Sequence, residues 1–260
     1  MPMKGSKEAR HGLDAEKLVI EYLEKNLDEI NECLREIDII FSPIKKVEKP
    51  QKKKKKRIKC DIILHGTDNS SLCISLKTVT NASFHHLDRR GLDEWRRILN
   101  MPTDVYDIFR ESILRVANNS KEVFIKEHHQ KRIKEFIQSK IEDILKEIFE
   151  RGEEDVKVLA IFDRKNKPNK IYFFNIDQVI CFFKQQEISF SNKGILKIGK
   201  FITLQRKGGN GSRIKKNKCD LNHPGNQLQF KFKPLEFVKY VENNKDKLKD
   251  SLKYCCLIVT

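Results

Sequence analysis

The sequence predicts an α/β protein in which helices flank a central mixed β-sheet, with a mostly antiparallel module at the C-terminal end. Helical periodicity dominates as far as residue 151, two short apolar strands interrupt it at 59–77, and short strands separated by turns follow from residue 156. We therefore expect an N-terminal α/β region at 1–155 and a β-rich region at 156–260, either as two domains or as one compact unit.

The charge balance of the chain predicts a polyanionic partner. Its 260 residues include 53 Lys and Arg against 37 Asp and Glu, a formal net charge of +16. A charge of this size favours nucleic acid over an anionic membrane surface, because the sequence has no amphipathic anchor or lipidation signal. There is no run of 18 apolar residues, and the first ten residues are polar and charged, so we expect a cytoplasmic protein without a membrane segment. The seven cysteines are scattered, odd in number and without a C-x-x-C pair, which predicts reduced thiols.

The N-terminal part of the chain predicts a helix, a strand and a charged loop. Apolar residues recur with helical spacing over Leu13–Leu27, and they alternate as in a strand over Leu34–Phe41. The basic segment 45–59, with Lys52–Arg57 at its centre, is too charged to pack and is predicted as a Lys-rich loop. This loop is a solvated linker, a source of salt-dependent contacts with phosphate, or both.

The most informative stretch is a pair of short apolar strands, Lys59–Leu64 and Leu72–Lys77, joined by a polar turn. Successive residues of a strand point to opposite faces, so Ser75 and Lys77 project together, and hairpin pairing can place Asp61 beside them. An acid, a hydroxyl and a lysine at one edge of a sheet can hold a divalent metal and activate a water, which predicts a metal-dependent phosphodiesterase. The alternative is an ordinary hairpin with a surface Asp and Lys.

Glu16, in the first predicted helix, has two interpretations. It is a solvated glutamate or, if the helix packs beside the hairpin, a further carboxylate at the metal. Both interpretations stay open at this point.

Between the hairpin and residue 151, the pattern predicts a polar turn and three helices. The turn covers 78–88, and the helices cover the stretch around Trp95, Asp104–Val116 and Gln130–Arg151. Further strands are predicted at 156–162, 171–174, 187–190, 195–198, 201–205 and 227–232, with helices at 176–183 and 233–249. The apolar tail Tyr254–Val259 adds a strand or packs against the core.

A strand that ends in basic residues and glycine predicts a second functional site. Gln205, Arg206 and Lys207 precede Gly208, and glycine allows the backbone to approach a ligand closely. Arg and Lys side chains bond to guanine and Gln side chains to adenine, and the return strand at 226–229 offers further amides. Two interpretations stay open. The segment is a hairpin that contacts DNA bases, or it is an ordinary solvated hairpin tip.

Three stretches together resemble the HinP–MspI group of monomeric type II restriction endonucleases, most closely its GCGC-cutting member. The first stretch runs from Gly5 through Glu16-Lys17. The second includes Lys59-Cys60-Asp61-Ile62, Ser75-Leu76-Lys77 and Phe84-His85-His86-Leu87-Asp88. The third and most specific includes Thr203-Leu204-Gln205-Arg206-Lys207-Gly208-Gly209 and Asn226-Gln227-Leu228-Gln229. The resemblance leaves out the Lys-rich insertion and the C-terminal extension.

The resemblance implies a restriction-endonuclease-like core of the variant PD-(D/E)xK type. It implies Mg²⁺-dependent hydrolysis of duplex DNA at a short G·C-rich palindrome, similar to GCGC, that leaves 5′-phosphate ends. Asp61 would then bind the metal, and Lys77 would orient the attacking water and stabilise the pentacovalent phosphate. Ser75 stands where the superfamily has Glu or Asp, so the site is short of negative charge unless Glu16 or phosphate oxygens complete the metal shell. One metal ion is therefore expected rather than two.

The resemblance also implies which residues contact DNA. Phe84 matches an aromatic residue that presses into the base stack, and His86 replaces a family glutamine close to it. The other residues implied in base recognition lie on the basic hairpin and its return strand: Gln205, Arg206, Lys207, Gly208, Asn226 and Gln229.

A member of this group is expected to act as a monomer in a prokaryotic cytoplasm. A cognate DNA methyltransferase is expected in the same system, with no direct contact implied. Two other functions stay open. One is a structure-selective DNA nuclease such as a junction resolvase, and the other is a catalytically inactive basic DNA-binding protein in which Ser75 marks the loss of activity.

Overall fold

The computed structural model describes residues 4–50, 59–80, 84–152, 155–209 and 216–259, with side chains from residue 14 onward. The helices are α1 (Lys4–Lys25), α2 (Leu27–Glu36), α3 (Leu92–Leu99), α4 (Thr103–Asn118), α5 (Glu127–Ser139), α6 (Ile141–Phe149), α7 (Ile176–Lys184), α8 (Pro234–Asn243) and α9 (Lys245–Leu248). The strands are β1 (Ile44–Glu48), β2 (Ile62–Gly66), β3 (Ser71–Val79), β4 (His85–Arg90), β5 (Val156–Asp163), β6 (Lys170–Asn175), β7 (Ile188–Phe190), β8 (Leu196–Ile198), β9 (Ile202–Arg206), β10 (Leu228–Phe232) and β11 (Cys255–Ile258). Within this described part of the chain, no helix is both long and apolar enough to cross a membrane.

The chain divides into two compact units, each assembled from separate segments. The first contains residues 1–83, 149–182 and 234–260, and the second contains residues 84–148 and 183–233. The predicted division at residue 155 differs from this one. The reason is strand pairing, since β5 pairs with β3 in the first unit, whereas β4 pairs with β10 in the second.

The first unit is built on a six-stranded mixed sheet in the order β1-β2-β3-β5-β6-β11. β3 and β5 run parallel, and the other neighbouring pairs are antiparallel. One face packs against α1 and α2 through buried residues such as Val19, Leu34 and Ile74. The other face carries Phe174, whose ring lies 5.2 Å from that of Phe237 on α8. Because helices cover both faces, β5 is buried along almost its whole length and is apolar there.

The second unit is built on a five-stranded antiparallel sheet in the order β4-β10-β9-β8-β7. Leu204 pairs with Phe230, and both are buried on one face, where the ring of Phe230 lies 5.3 Å from that of Trp95 on α3. Gln205 pairs with Gln229, and strand alternation turns both to the opposite face. The predicted fold class, a mixed sheet flanked by helices with a mostly antiparallel second module, is confirmed.

Two predictions in the N-terminal part of the chain are wrong. Leu34–Phe41 is not a strand, because α2 continues through Glu36 and packs its apolar side chains on the sheet. The predicted loop at 45–59 begins too early, because β1 covers Ile44–Glu48. Ile44 and Val47 are buried while the two lysines between them are exposed, a spacing that the bulge in β1 permits. Positions 51–58, with the run of lysines, lie outside the described residues.

Further along the chain, tertiary structure changes three boundaries. β4 occupies part of the predicted polar turn at 78–88, and the predicted helix at 130–151 is α5 followed by α6. The backbone N–H of Lys140 donates to the carbonyls of Phe136 and Ile137 and ends α5. The apolar residues of α6 continue the spacing of those in α5, so periodicity alone cannot show the break. The apolar tail forms β11, which pairs with β6 at the edge of the first sheet.

Four cysteines are joined in two disulfides, Cys33–Cys255 and Cys60–Cys73. The prediction of reduced thiols is therefore wrong for these four residues. Pairing of β2 with β3 brings the Cα atoms of Cys60 and Cys73 to 5.3 Å, and β11 carries Cys255 to a partner 222 residues away. The spacing of cysteines along the sequence cannot show pairs that only tertiary structure creates.

Truncating Ile74, at the centre of β3, tests the packing of the central hairpin. Ile74 is fully buried, so Ile74→Ala should lower the free energy of unfolding by about 2–5 kcal/mol through lost contacts and an unfilled cavity. Ser71→Ala, at the exposed first residue of the same strand, is the control and should change it by less than about 0.5 kcal/mol. Urea unfolding followed by far-UV circular dichroism measures both, and equal effects would contradict this packing.

Candidate active site

Asp61, Ser75 and Lys77 come together on one face of the hairpin formed by β2 and β3. Asp61 lies just before β2, where its backbone N–H donates to the carbonyl of Ile74 at 2.8 Å, and its carboxylate lies 3.3 Å from Ser75 Oγ. Leu76 points to the opposite face, where it belongs to the core beneath α1 and α2. The structure therefore brings together the three residues that the sequence pattern groups.

A chain of hydrogen bonds joins the three side chains. The ammonium of Lys77 donates to Ser75 Oγ at 2.7 Å, and that hydroxyl donates to Asp61 Oδ2 at 3.3 Å. Asp61 Oδ2 also accepts the backbone N–H of Leu76 at 2.7 Å and lies 3.8 Å from Lys77 Nζ. Every contact that the described residues make with the Asp61 carboxylate is made through Oδ2, so Oδ1 is open to a ligand.

The group is partly shielded from water. The side chains of Lys77 and Asp61 are 18% and 29% exposed, and Ser75 is buried. Partial removal from water strengthens electrostatic interactions with a ligand. A carboxylate oxygen and an ammonium group thus stand side by side, one able to bind a cation and the other a phosphate oxygen.

The residues fit a magnesium ion held through one carboxylate. Mg²⁺ usually keeps several waters and takes one or two carboxylates together with phosphate oxygens of the substrate. Asp61 supplies the open Oδ1, and Ser75 supplies a hydroxyl oxygen beside it. Across the described residues, no three His, Cys, Asp or Glu side chains group into a metal cage. The donor set suits one ion completed by water and phosphate.

Glu16 is engaged elsewhere in this structure. Its carboxylate pairs with the ammonium of Lys49, just beyond the end of β1. Its neighbour Ala15 packs in the core with Ile74, on the sheet face opposite the hydroxyl of Ser75. Among the described residues, no contact joins Glu16 to Asp61, Ser75 or Lys77.

The second candidate surface lies in the other unit and is the polar face of the five-stranded sheet. We define the polar face by Arg89, Gln205, Lys207, Gln229 and Lys231. Register pairs Gln205 with Gln229 and Gln229 with Arg89, and alternation places the two lysines on the same side. Burial, and after it the charge of Arg89, lowers the pKa of both Lys207 and Lys231. Cations gathered on one sheet face suit a polyanionic ligand.

Phe84 stands beside the polar face with its ring partly exposed. The ring is in contact with Lys231, whose Nζ lies 4.1 Å from its centroid, and it meets His86 edge-on at 5.9 Å. Phe84 is 39% exposed, which leaves ring surface for a base.

His86 is held by Gln229 in a neutral form. Gln229 is 2% exposed, and its Nε2 donates to His86 Nδ1 at 2.8 Å. A ring nitrogen that accepts a hydrogen bond carries no proton, so the proton lies on Nε2. Burial first, then the positive charges of Arg89 and Lys231, lower the pKa of His86 to about 4. At pH 7 the ring therefore offers an N–H donor through Nε2.

Arg206 and Asn226 lie at the end of the sheet and contact each other. Arg206 Nε donates to Asn226 Oδ1 at 2.8 Å. Asn226 is fully buried, and its Nδ2 donates to the carbonyls of Lys218 and Asp220, both at 2.7 Å. Asn226 and Gln229 thus contact protein groups in this structure, so a role in reading bases would pass through their neighbours.

Gly208 adopts a backbone conformation that favours glycine. Its φ is +65°, in the left-handed region. Its N–H donates to the carbonyl of Gly225 at 3.0 Å, and the N–H of Lys207 donates to the carbonyl of Gln227 at 2.9 Å. The backbone of Lys207 and Gly208 is thereby bonded to the 3-10 turn Pro224–Asn226 and to the residue that follows it. Positions 210–215 lie outside the described residues.

Sequence reasoning misses two cations of the polar face, Arg89 and Lys231. The predicted turn at 78–88 replaces most of β4, so the sequence analysis expects no strand alternation that would place Arg89 on a sheet face. Lys231 could have been found, since Gln229 and Lys231 alternate with the buried Phe230 and Phe232 along β10.

Comparisons with known proteins place the chain in a family. The model of the R.HinP1I restriction endonuclease family matches residues 54–238, more than half of the chain, and confirms the family predicted from the sequence. A search of curated proteins finds no match. Among solved structures, the chain is similar to restriction endonuclease MspI in complex with its cognate DNA, with 12% identity and a TM-score of 0.45. That comparison covers 78% of this chain and 77% of the other.

A titration of His86 tests its environment. The pKa of His86 is lowered from 6.5 to about 4, so the ring should stay neutral as the pH falls from 8 to 5.5 and take up its proton only below that range. Because the unfolded chain protonates first, this residue contributes stability that is present above pH 6.5 and is lost as the pH falls towards 4. Carbon–proton NMR correlation spectra of the imidazole C–H groups measure the pKa, with His86→Gln to identify the signal. A midpoint at or above 6.5 would contradict the described burial.

Proposed function

The chain belongs to the R.HinP1I restriction endonuclease family, and we propose that it is a type II enzyme that hydrolyses duplex DNA at a short G·C-rich palindrome similar to GCGC. The observation that carries the proposal is the hydrogen-bonded group of Asp61, Ser75 and Lys77 on one sheet face. One acid with an open oxygen, next to a lysine, can handle a phosphodiester together with a divalent cation.

Mg²⁺ is the proposed cofactor, and when bound it would lower the pKa of a water and offset negative charge on the phosphate. Asp61 would hold the ion through Oδ1, while the N–H of Leu76 fixes the carboxylate through Oδ2. The ammonium of Lys77 would donate to the non-bridging oxygen on which charge accumulates during attack. Ser75 would orient Lys77, because its hydroxyl lies between the ammonium and the carboxylate.

In the proposed reaction, a water attacks the phosphorus in line with the leaving 3′-oxygen. The bond between phosphorus and the 3′-oxygen breaks, and that oxygen takes up a proton. The products are a 5′-phosphate and a 3′-hydroxyl. The Glu16 carboxylate pairs with Lys49 in this structure, so a single ion held by Asp61, with phosphate oxygens in its shell, is the simplest arrangement.

Base recognition is proposed for the second unit. Gln205 and Lys207 belong to the polar face, where the ammonium of Lys207 donates to the carbonyl of Pro224 at 3.2 Å. Arg206 lies at the end of this face, and Gly208 allows close approach. Arginine and lysine donate to guanine O6 and N7, which agrees with a G·C-rich target. Phe84 is proposed to press into the base stack and His86 to donate to a base or phosphate.

The other proposed partners follow from this activity. A restriction endonuclease requires a methyltransferase that protects the same sites in the host DNA, and the nuclease itself is proposed to act as a cytoplasmic monomer. A second candidate function has one observation in its favour, because Ser75 gives the group only one carboxylate. That alternative is a DNA-binding protein without catalysis.

Incubating the purified protein with supercoiled plasmid, with and without Mg²⁺, tests the proposed activity. Discrete fragments that require Mg²⁺ support the restriction endonuclease. Cleavage without sequence preference would instead indicate a structure-selective nuclease, and binding without cleavage would indicate the inactive DNA-binding protein.

The catalytic assignments predict a loss of cleavage without a loss of binding. Asp61→Ala and Lys77→Ala should each reduce the rate of cleavage by at least about 10³-fold, because each removes electrostatic stabilisation of the transition state. Both should leave the affinity for the uncleaved duplex within several-fold, measured by fluorescence anisotropy in Ca²⁺.

Lys46→Ala is the matched control. It removes one exposed lysine from β1 in the same unit and should keep cleavage close to the rate of the unchanged protein. Near-normal cutting by Asp61→Ala or Lys77→Ala would refute the catalytic assignment.

A further inference from the structure

The side-chain amide of Asn226 joins Arg206 to two backbone carbonyls. Its Oδ1 accepts from Arg206 Nε at 2.8 Å, and its two Nδ2 hydrogens go to the carbonyls of Lys218 and Asp220 at 2.7 Å. The reverse orientation of the amide would set N–H against N–H and oxygen against two carbonyls. The network therefore allows one orientation of the Asn226 side chain.

Asn226 is a buried residue in a fixed turn. It is 0% exposed and ends the 3-10 turn that begins at Pro224. His223 Nδ1 accepts the N–H of Gly225 at the start of this turn, at 3.1 Å. The carbonyls of Gly225 and Gln227 accept the backbone N–H groups of Gly208 and Lys207. Both the backbone and the side chain next to Arg206 are thus tied to this turn.

The contact leaves the ends of the Arg206 guanidinium open. Nε is bound to Asn226, while in the described part of the chain Nη1 and Nη2 make no hydrogen bond to protein. A methyl group built on Gly225 would lie 3.3 Å from Nη2 and one on Gly208 would lie 3.8 Å from Nη1, so glycines flank both ends. The Arg206 side chain is partly buried, which strengthens the hydrogen bonds that its guanidinium donates to a ligand.

We propose that Asn226 is a positioning residue for sequence specificity, which holds Arg206 through Nε so that Nη1 and Nη2 donate together to O6 and N7 of one guanine. This inference rests on the proposed function and deepens it. A guanidinium fixed at Nε keeps the planar pair of donors that a guanine edge requires, whereas a freely rotating arginine would bind phosphates as readily. Asn226 itself touches no base and acts only through Arg206.

Binding to a modified duplex tests the proposal. The probe is a short duplex that carries the sequence mapped from the fragment ends of the unchanged protein, and its twin has 7-deazaguanine at one guanine at a time. Removing N7 deletes one acceptor of the proposed contact. The unchanged protein should bind one of these twins in Ca²⁺ about 10-fold or more weakly than the probe.

Asn226→Ala should bind the unmodified probe about 10- to 100-fold more weakly and should lose the 7-deazaguanine penalty at that guanine. Its affinity for a duplex of unrelated sequence should stay within twofold at the same salt concentration. Asn222→Ala, an exposed asparagine in the same loop, is the matched control and should keep both the affinity and the penalty.

The double variant separates positioning from a general structural role. If Asn226 acts through Arg206, then Arg206→Ala loses the same penalty, and adding Asn226→Ala to it changes specific binding by less than about twofold. Additive losses, or equal losses on specific and unrelated DNA, would overturn the proposal and assign Arg206 to phosphate.

Asn226→Asp keeps an oxygen opposite Arg206 Nε and should keep a measurable penalty even if the alanine variant does not fold. Loss of the penalty in a folded Asn226→Asp would overturn the proposal. If the unchanged protein cuts no DNA at all, the proposed function fails first, which distinguishes the two failures.

Discussion

The candidate active site depends on one backbone pairing, that of β2 with β3. The carbonyl of Ile74 accepts the backbone N–H of Asp61, and the Asp61 carboxylate accepts the backbone N–H of Leu76. Both the main chain and the side chain of Asp61 are therefore bonded to β3. A slip of one residue would turn Ser75 and Lys77 into the core and expose Leu76. The buried cluster beneath α1 and α2, which contains Ile74 and Leu76, opposes that slip. Packing on one sheet face thereby sets the arrangement of Asp61, Ser75 and Lys77 on the other.

The charges of this group bear on the proposed binding of a cation by a site with one acid. Ser75 is neutral and lies between Lys77 and Asp61, so the group has little net charge of its own. A phosphate of bound DNA would supply the missing negative charge and the remaining oxygen ligands at the same moment. On this account, affinity for Mg²⁺ should rise when DNA is bound, and Ser75 serves to hold Lys77 rather than to bind the metal strongly.

The sequence predicts the parts of the protein that local rules control. Strand alternation is enough to place Ser75 with Lys77, and hairpin pairing adds Asp61, because all three lie within seventeen residues of one another along a single hairpin. It does not predict the pairing of β4 with β10, since these strands are more than a hundred residues apart and β4 is short and polar. Because their partners are also far apart in the sequence, the ion pair of Lys49 with Glu16 and the disulfide of Cys33 with Cys255 are not predicted either. The sequence identifies Asn226 and Gln229 as amide side chains that could contact DNA. Only the tertiary structure shows that Asn226 holds Arg206.

Sequencing the ends of the fragments that the unchanged protein makes from plasmid DNA in Mg²⁺ tests the central claim most directly. The account predicts 5′-phosphate and 3′-hydroxyl ends that fall at a fixed position within one short G·C-rich palindrome. Ends scattered over unrelated sequences, or no cleavage at any Mg²⁺ concentration, would contradict it.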